Sequence, residues 1–479
     1  MGVGFIVAGT HSGCGKTTVS LGLMSCLRKR GYIVQAFKAG PDFIDAGLHR
    51  LVTGRPSRNL DIWMCGEDFV KSSFLRNSTD ADISIIEGVM GIFDGEDSTA
   101  RLAQVLKVPV VLVVDAFGIA ETAGAIVNGI VEKAARDFDI KFKGVVFNRV
   151  CSEAHLKRLI KGLEIPCLGY LPKDKRFSIP SRHLGLVTAE EKPITDEAIE
   201  RLGDVMAKHV NICEIVNNRL QATGYRIQDI KKKSITCCLS PDSQPIAFSF
   251  QPKYRLAIAR DRAFSFYYED NLDILRELGF ELIEFSPLND RELPEDIDAL
   301  YIGGGYPEEY AETLSGNRGL INAIKKASLG GIPIYAECGG LIYLSEGIER
   351  NGRFFPMAGI LPLRIKMQNR PVLGYREVIQ MSDVGSQMSE FKEKNSFKSD
   401  FRSLTSDLCS DLLLRGHEFH YSVINGFPVD SIRSRFKVYN REGEFIMNEG
   451  FTIRNTTGTY IHLHGALNPD AFGGLFREE

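Results

Sequence analysis

A glycine-rich segment near the start of the chain limits the possible folds more than any other feature. The apolar run Phe5-Ile-Val-Ala leads into Gly9-Thr-His-Ser-Gly-Cys-Gly15, and Lys16-Thr17-Thr18 follow directly. A strand that enters such a loop and then a helix turns backbone N–H groups toward one point, where they bind phosphate. Lys16 would reach the β- and γ-phosphates of ATP, and the Thr17 hydroxyl would coordinate Mg²⁺. The alternative is a glycine-rich turn that holds no ligand. The predicted ATP-binding residues of the loop are Gly13, Gly15, Lys16, Thr17 and Thr18.

Short apolar runs alternate with amphipathic segments in both halves of the chain. This alternation predicts an α/β fold, with parallel sheets covered by helices. The runs are almost continuously apolar, as in strands that are buried on both faces. The predicted strands are 4–8, 33–38, 83–87, 110–114, 145–148, 255–259, 281–285, 299–302 and 333–336.

The length of 479 residues predicts more than one domain. We expect a phosphate-binding domain over 1–216, a polar linker over 217–252 and a second α/β domain over 253–479. A stretch rich in Ser, Lys, Asp and Glu, at about 382–410, predicts an exposed insertion in the second domain.

Acidic motifs follow two of the predicted strands of the first domain. Lys38-Ala-Gly-Pro-Asp42-Phe-Ile-Asp45 comes after one strand, and Glu87-Gly-Val-Met-Gly-Ile-Phe-Asp94 comes at the end of another. Ligands of open α/β sheets bind at the carboxyl ends of strands, so these side chains should lie beside the phosphates. We expect Lys38, Asp42, Asp45 and Asp94 to activate the substrate, while the alternative for Asp45 is a helix cap.

The nucleotide needs a metal ion and a partner for its base. Mg²⁺ favours one or two carboxylates together with phosphate oxygens and water, which predicts Thr17, Asp42 and Glu87 as its ligands. Asn148 stands at the end of another predicted strand, where its amide could hydrogen-bond an adenine edge.

A second reactive motif lies in the second half. The segment Ile334-Tyr-Ala-Glu337-Cys338-Gly339-Gly340 is a strand followed by a tight turn into a helix, the form of a nucleophile elbow. The alternative for Cys338 is a small buried apolar residue. The N–H of Gly339 is one candidate oxyanion donor, and the loop that contains Gly304 and Gly305 is the source of a second.

A cysteine nucleophile needs a base, and four histidines are candidates: His417, His420, His462 and His464. The strand end Tyr460-Ile-His462 resembles the histidine motif of class I glutamine amidotransferases, which favours His462 as the base. In those enzymes an acidic residue stands two positions later, where this chain has His464. A third member of the site is therefore open, and a Cys–His pair is the alternative.

The composition excludes several other classes of function. The formal net charge is −3, which does not indicate a nucleic-acid-binding protein. No apolar run approaches the roughly 20 residues that a membrane span needs. The chain enters a strand without a basic and apolar leader, so we expect a cytoplasmic protein.

Several motifs in combination resemble the cobyrinic acid a,c-diamide synthase family, including its methanogen relative, Ni-sirohydrochlorin a,c-diamide synthase. They are Gly40-Pro-Asp-Phe-Ile-Asp, Glu87-Gly-Val-Met-Gly-Ile-Phe-Asp-Gly, Gly303-Gly-Gly-Tyr-Pro-Glu and Gly416-His-Glu-Phe-His-Tyr. The loop before Lys16, one residue longer than usual, also resembles dethiobiotin synthetase. The resemblance implies a dethiobiotin-synthetase-like P-loop domain followed by a class I, triad-type glutamine amidotransferase domain, in a homodimer. It implies amidation of the a and c acetates of a tetrapyrrole, with ATP and glutamine consumed.

The two motifs agree with that chemistry. Ammonia does not react usefully with a carboxylate, so the carboxylate must first be activated, and a phosphate-binding site beside an acceptor carboxylate can form an acyl phosphate. Ammonia released at the cysteine site would then need a sheltered path to it. Two alternatives remain at this point: a dethiobiotin-synthetase-like enzyme without glutaminase activity, and a P-loop regulatory ATPase.

Overall fold

The computed structural model describes residues 3–174, 194–216, 252–381, 412–425 and 432–477. The predicted linker, apart from residue 252, and the predicted insertion lie outside the described residues. The described residues divide into two units. The first contains 3–62, 70–174 and 194–216, and the second contains 63–69, 252–381, 412–425 and 432–477. Residues 63–69 therefore group by contact with the second unit, although they lie in the first half of the sequence.

The first unit is built on a seven-stranded parallel sheet. Its strands are β1 (Val3–Gly9), β2 (Val34–Ala39), β3 (Arg58–Leu60), β4 (Ile83–Glu87), β5 (Val110–Asp115), β6 (Phe142–Val150) and β7 (Cys167–Pro172). Their order is β3-β2-β4-β1-β5-β6-β7, and every neighbouring pair is parallel. All the strands therefore end at one edge, where β1 lies between β4 and β5.

Helices connect these strands. They are α1 (Lys16–Lys29), α2 (Phe43–Thr53), α3 (Ile62–Cys65), α4 (Glu67–Asn77), α5 (Thr99–Leu106), α6 (Thr122–Phe138), α7 (Glu153–Leu159), α8 (Asp196–His209) and α9 (Ile212–Val216). Several begin with a side-chain cap of the kind that satisfies the unpaired N–H groups of a first turn. The Asp42 carboxylate, for example, accepts the Asp45 N–H at the start of α2.

The second unit contains a twelve-stranded mixed sheet. Its strands are β8 (Tyr254–Ala259), β9 (Phe280–Phe285), β10 (Ala299–Ile302), β11 (Ile334–Glu337), β12 (Ser345–Arg350), β13 (Arg353–Pro356), β14 (Leu361–Gln380), β15 (Leu413–Ile424), β16 (Arg433–Tyr439), β17 (Phe445–Ile453), β18 (Thr456–Thr459) and β19 (His462–His464). The strands β9-β8-β10-β11-β18 run parallel, and β16, β17 and the pair β14–β15 extend the sheet with antiparallel neighbours.

The helices of the second unit are shorter. They are α10 (Glu269–Glu277), α11 (Ala311–Gly316), α12 (Arg318–Leu329), α13 (Gly339–Leu344) and α14 (Pro469–Gly473), with 3-10 turns at Pro307–Tyr310 and Gly474–Phe476. The short strand β19 pairs with β15, which places His462 opposite His417. The parallel core of this unit therefore has its carboxyl edge beside the histidine-bearing strands.

Apolar side chains on both faces of each sheet form the cores. Strands β2 and β4 are buried at every position, which explains their continuous apolar sequence. The predicted strands of both halves are confirmed, although β6 is longer at both ends than the predicted 145–148. The predicted strands do not include β3 and β7 of the first unit or β12 to β18 of the second. None of the helices in the described ranges is both long and apolar enough to span a bilayer.

Candidate active sites

The glycine-rich loop joins β1 to α1 as predicted. Gly13 and Gly15 have φ angles of 78° and 102°, in the left-handed region that favours glycine. A Cβ on Gly15 would lie 1.9 Å from Asn148 Nδ2, and this amide donates a hydrogen bond of 3.0 Å to the Cys14 carbonyl. The structure therefore brings Asn148 against the loop, while Lys16, Thr17 and Thr18 form the first turn of α1.

The Lys16 ammonium is held beside this loop. It donates hydrogen bonds to the carbonyl oxygens of His11, at 3.2 Å, and Met90, at 2.5 Å. Burial lowers the pKa of Lys16. Thr17 Oγ1 donates to Glu87 Oε1 at 2.6 Å, which joins the loop to the end of β4.

A buried cluster of charges surrounds Lys38 at the carboxyl ends of β2 and β4. Its Nζ lies 2.5 Å from Asp45 Oδ2, 3.1 Å from Glu87 Oε1 and 3.8 Å from Asp42 Oδ2. Burial alone would lower the pKa of Lys38, but the charges of Asp45, Glu87 and Asp42 outweigh it and raise that pKa. The ammonium is therefore charged.

Glu87 is the ionised carboxylate of this cluster. Burial would raise its pKa, but the Lys38 charge and a hydrogen bond to His49 hold that pKa well below its ordinary range. His49 Nε2 lies 2.8 Å from Glu87 Oε2. Burial and the charges of Asp42 and Glu87 raise the pKa of Asp45, because three carboxylates share one lysine.

His49 was not predicted from the sequence as a member of this site. Its signal was the spacing of four residues from Asp45 on the helix that follows, which places both side chains on one face. Among the described residues, the structure records no hydrogen bond or ion pair between Asp94 and the Lys38 cluster. Asp94 is exposed, and its carboxylate accepts the Gly91 N–H at 2.7 Å. A Cβ on Gly91 would lie 3.0 Å from the Thr10 carbonyl, so this turn adjoins the glycine-rich loop.

The donors fit a Mg²⁺ ion that arrives with a nucleotide. Among the described residues no group of three or more His, Cys, Asp or Glu side chains forms a ready-made metal site. Mg²⁺ usually takes only one or two protein carboxylates and completes its shell with phosphate oxygens and water. Thr17 Oγ1 and Glu87 Oε1, 2.6 Å apart, supply oxygen ligands of that kind. Asp42 Oδ2 lies 3.8 Å from Lys38 Nζ, which also contacts Glu87.

Cys338 stands in a strained turn between β11 and α13. Its φ and ψ are 47° and −100°, an unusual conformation for a residue with a side chain. A Cβ on Gly340 would lie 2.2 Å from the Ile302 carbonyl, so the turn requires glycine there. Burial raises the pKa of the Cys338 thiol, and the nearby Glu308 carboxylate raises it further. The thiolate must therefore be formed with the help of a base.

His462 and the predicted oxyanion glycines lie close together. A Cβ on Gly304 would lie 2.2 Å from His462 Cε1, and a Cβ on Gly339 would lie 3.0 Å from the Gly305 nitrogen. The His462 ring stacks on His417, with centroids 5.1 Å apart. Burial lowers the pKa of His462, and His417 and His420 lower it further. A neutral imidazole is the form that can accept a thiol proton.

The remaining histidines have other contacts. His417 Nδ1 lies 2.7 Å from the Tyr268 hydroxyl, and His420 stacks on Tyr460 with centroids 3.8 Å apart. His464 is fully buried, its Nδ1 accepts the Ala466 N–H at 3.1 Å, and burial lowers its pKa to about 3. His464 is therefore neutral at physiological pH.

Glu337, directly before the nucleophile, is a second residue that the sequence analysis did not assign. Its carboxyl is buried, and its Oε2 lies 3.8 Å from His462 Nδ1. The available signal was its position in the strand, two residues after Tyr335 and on the same face.

Two family models match the chain. Residues 5–187 match the CobQ/CobB/MinD/ParA nucleotide binding domain, and residues 255–469 match the CobB/CobQ-like glutamine amidotransferase domain. Among solved structures, PurLQS from Thermotoga maritima is 13% identical and covers 47% of this chain and 95% of its own, with a TM-score of 0.30.

Curated relatives are similar over almost the whole length. The cobyrinate a,c-diamide synthase of Caldanaerobacter subterraneus subsp. tengcongensis is 39% identical over 473 residues, which cover 96% of this chain and 94% of that protein. The protein of the same name from Listeria innocua is 40% identical over 489 residues and covers 98% of both. The chain therefore belongs to the cobyrinate a,c-diamide synthase family, whose members are glutamine-dependent ligases.

Proposed function

We propose that this protein amidates the a and c acetate carboxylates of cobyrinate, with ATP and glutamine as co-substrates. The proposal is supported by two features of one chain. Cys338 occupies a strained turn, and Gly339 after it approaches the Gly304–Gly305 loop, which in turn approaches His462. The glycine-rich loop is joined through Thr17 and Glu87 to the Lys38 cluster. The names of the relatives favour cobyrinate, and Ni-sirohydrochlorin is the second candidate. We also propose that it acts in the cytoplasm as a homodimer.

The second unit would release ammonia. His462 takes the Cys338 proton, and the thiolate attacks the side-chain amide carbon of glutamine. The N–H groups of Gly339 and of the Gly304–Gly305 loop stabilise the negative oxygen. The C–N bond breaks, ammonia leaves with the proton that His462 returns, and water hydrolyses the thioester to glutamate.

The first unit would use that ammonia. An acetate oxygen of the tetrapyrrole attacks the γ-phosphorus of ATP, and ADP leaves. Lys16 and the N–H groups of the loop offset the charge on the phosphoryl oxygens, and Mg²⁺ bound at Thr17 and Glu87 would neutralise more of it. Lys38 keeps Glu87 ionised, and with Asp42 and Asp45 it forms the region where the acceptor carboxylate is activated. Asp94 would act from the turn that adjoins the glycine-rich loop. Ammonia then attacks the acyl phosphate, and phosphate and a proton are released.

The two alternative functions that the sequence left open do not include glutaminase activity. A dethiobiotin-synthetase-like enzyme and a regulatory ATPase would each leave Cys338 and His462 without a task. The match of residues 255–469 to an amidotransferase domain therefore favours the amidoligase.

Labelled oxygen tests the acyl phosphate. The enzyme is incubated with ATP, Mg²⁺, glutamine and either cobyrinate or Ni-sirohydrochlorin, each labelled with oxygen-18 in its acetates. Mass spectrometry counts the new amides and follows the label. We expect two amides on cobyrinate and one labelled oxygen in phosphate for each amide. Unlabelled phosphate would exclude the acyl phosphate, and faster amidation of Ni-sirohydrochlorin would reassign the substrate.

A further inference from the structure

The base of the proposed glutaminase site needs a group that orients it. A histidine between a nucleophile and an acid keeps one ring nitrogen toward each. The position two residues after His462 holds His464, whose Nδ1 accepts the Ala466 N–H. Phe69 and Tyr268 pack against the His464 ring at centroid distances of 5.7 and 4.8 Å. A neutral, packed imidazole cannot supply the negative charge that an imidazolium at His462 would require.

Glu337 is a carboxyl held in one orientation beside His462. Oε2 accepts the Tyr301 hydroxyl at 2.9 Å, and Oε1 accepts the Tyr335 hydroxyl at 3.0 Å. Oε1 also accepts the Leu463 N–H at 3.1 Å, directly after His462 in the chain. Three donors from β10, β11 and β19 thus hold a carboxyl that is 2% exposed. The hydrogen bond from Leu463 ties the carboxyl to the strand that carries the base.

We propose that Glu337 is the positioning residue of the glutaminase site, in place of an acid two residues after His462. The inference rests on the proposed function only for the role of Cys338 as nucleophile. In this assignment His462 Nδ1, 3.8 Å from Glu337 Oε2, carries the proton, and Nε2 is the atom that would accept the proton of the Cys338 thiol. The distance of 3.8 Å must shorten by roughly 1 Å to make a hydrogen bond, and catalytic hydrogen bonds are often long before substrate binds.

The proton balance is simple. The Cys338 proton moves to His462 Nε2, the imidazolium keeps its Nδ1 proton, and the ionised Glu337 offsets the new positive charge. The Nε2 proton then leaves with ammonia. Glu337 neither gains nor loses a proton in the cycle, so it acts only through His462.

Several groups around the site influence its titration. Burial raises the pKa of Glu337 to about 8, although hydrogen bonds from Tyr301, Leu463 and Tyr335 oppose that shift. His417 and His420 face His462 from β15. Burial raises the pKa of the Cys338 thiol, and the Glu308, Glu337 and Glu418 carboxylates raise it further, so an ionised Glu337 disfavours a lone thiolate and favours only a thiolate that is paired with the His462 imidazolium. Because only the ionised form of Glu337 stabilises the imidazolium, reactivity at Cys338 should rise as the pH passes about 8.

The test compares Glu337→Gln with Glu449→Gln. Glu449 is a matched control: it is also buried, and it accepts hydrogen bonds from Thr459, Tyr460 and Gly450. Burial raises its pKa to about 7. Among the described residues, the structure records no contact between Glu449 and His462.

Two readouts separate positioning from simple structural support. The first is glutaminase kcat and KM, with ammonia-dependent synthesis measured in parallel. The second is the rate at which iodoacetamide alkylates the Cys338 peptide between about pH 6 and pH 10. The exposed Cys151 and Cys213 are internal references.

We expect Glu337→Gln to lower glutaminase kcat by at least about 100-fold, with KM and ammonia-dependent synthesis within about threefold of the unmodified enzyme. The increase in the rate of Cys338 alkylation near pH 8 should disappear. The rate should then increase only at higher pH, where the thiol itself ionises. Glu337→Asp should restore part of the rise, and Glu449→Gln should keep it.

An unchanged alkylation profile in Glu337→Gln would overturn the inference, and so would an equal loss in Glu449→Gln. Alkylation needs no substrate. A failure of the proposed function, seen as no amidation by the unmodified enzyme, is therefore distinct from a failure of this inference.

Discussion

At the residue scale, the two sites use burial in opposite ways. Burial of Cys338 and His462 disfavours their charged forms, so the reactive pair stays neutral until substrate arrives. Burial around Lys38 is overcome by charge pairing, so Lys38 and Glu87 stay ionised. The first arrangement suits a nucleophile that must not react prematurely, and the second suits a permanent electrostatic frame for phosphate chemistry.

The assignment of the base can be tested with two histidine variants. We expect His462→Ala to lower glutaminase kcat by at least about 100-fold, because a general base is lost. His464→Gln should retain kcat within about tenfold, because His464 is neutral and its Nδ1 accepts a hydrogen bond from the Ala466 N–H. The measurement is the amount of thioester trapped at Cys338 in each variant. If His464→Gln formed no thioester and His462→Ala still formed it, the base would be His464.

Removal of the Lys38 ammonium should destabilise the protein in a pH-dependent way. Lys38→Met leaves Glu87 and Asp45 buried without their cation, which should lower the free energy of unfolding by about 3–5 kcal/mol at neutral pH. The control is Lys29→Met, whose exposed pair with Asp204 contributes at most about 1 kcal/mol.

The sign of the pH effect follows from the carboxylates. In the unmodified protein the lowered pKa of Glu87 gives stability that is present above its unfolded pKa and lost as the pH falls through its folded pKa. Without Lys38 the folded protein would instead favour the protonated carboxyls. The loss of unfolding free energy caused by Lys38→Met should therefore become smaller as the pH falls from about 8 to about 5. Urea unfolding of the variant and of the unmodified protein measures this difference. An equal deficit in both lysine variants would contradict the description of this cluster.

At the scale of elements, the sequence predicts what depends on neighbours along the chain. The apolar run before Gly9 and the Gly-Lys-Thr that follows it predict a strand, a loop and a helix, because each signal is local. The elbow at Cys338 is equally local, since the glycines after it permit a turn that few other residues allow.

The parts of the site that could not be predicted depend on which strands become neighbours in the sheet. Glu337 meets Tyr301 and His462 only because β10 and β19 lie beside the end of β11. The spacing of residues along the sequence does not show that these strands lie next to one another. The long strand β14 has exposed and half-buried positions through its centre, so its apolar alternation is interrupted and gives no strand signal.

The loop after β10 provides a test at this scale. A methyl group on Gly304 would lie 2.2 Å from His462 Cε1, so Gly304→Ala should displace the imidazole and lower glutaminase kcat by about 100-fold. Ammonia-dependent synthesis should persist. The control is Gly316→Ala on α11, where an added Cβ meets no heavy atom within 4 Å. Full glutaminase activity in Gly304→Ala would show that the loop is not part of the site.

At the scale of the whole molecule, we assign one reaction to each unit. The second unit contains Cys338, His462 and Glu337, and the first contains the phosphate loop and the Lys38 cluster. Ammonia is the only chemical product that one reaction must pass to the other. The two reactions should therefore be separable by a single substitution.

The most direct measurement follows the source of nitrogen in Cys338→Ala. The unmodified enzyme and the variant receive cobyrinate, ATP, Mg²⁺, glutamine labelled with nitrogen-15 in its amide, and unlabelled ammonium. Mass spectrometry then reads the label in the product amides. We predict labelled amides from the unmodified enzyme, and from Cys338→Ala unlabelled amides formed at a rate within about threefold of its rate with ammonium alone. Labelled amides from Cys338→Ala, or loss of amidation with ammonium in a folded variant, would contradict the division of the reaction between the two units.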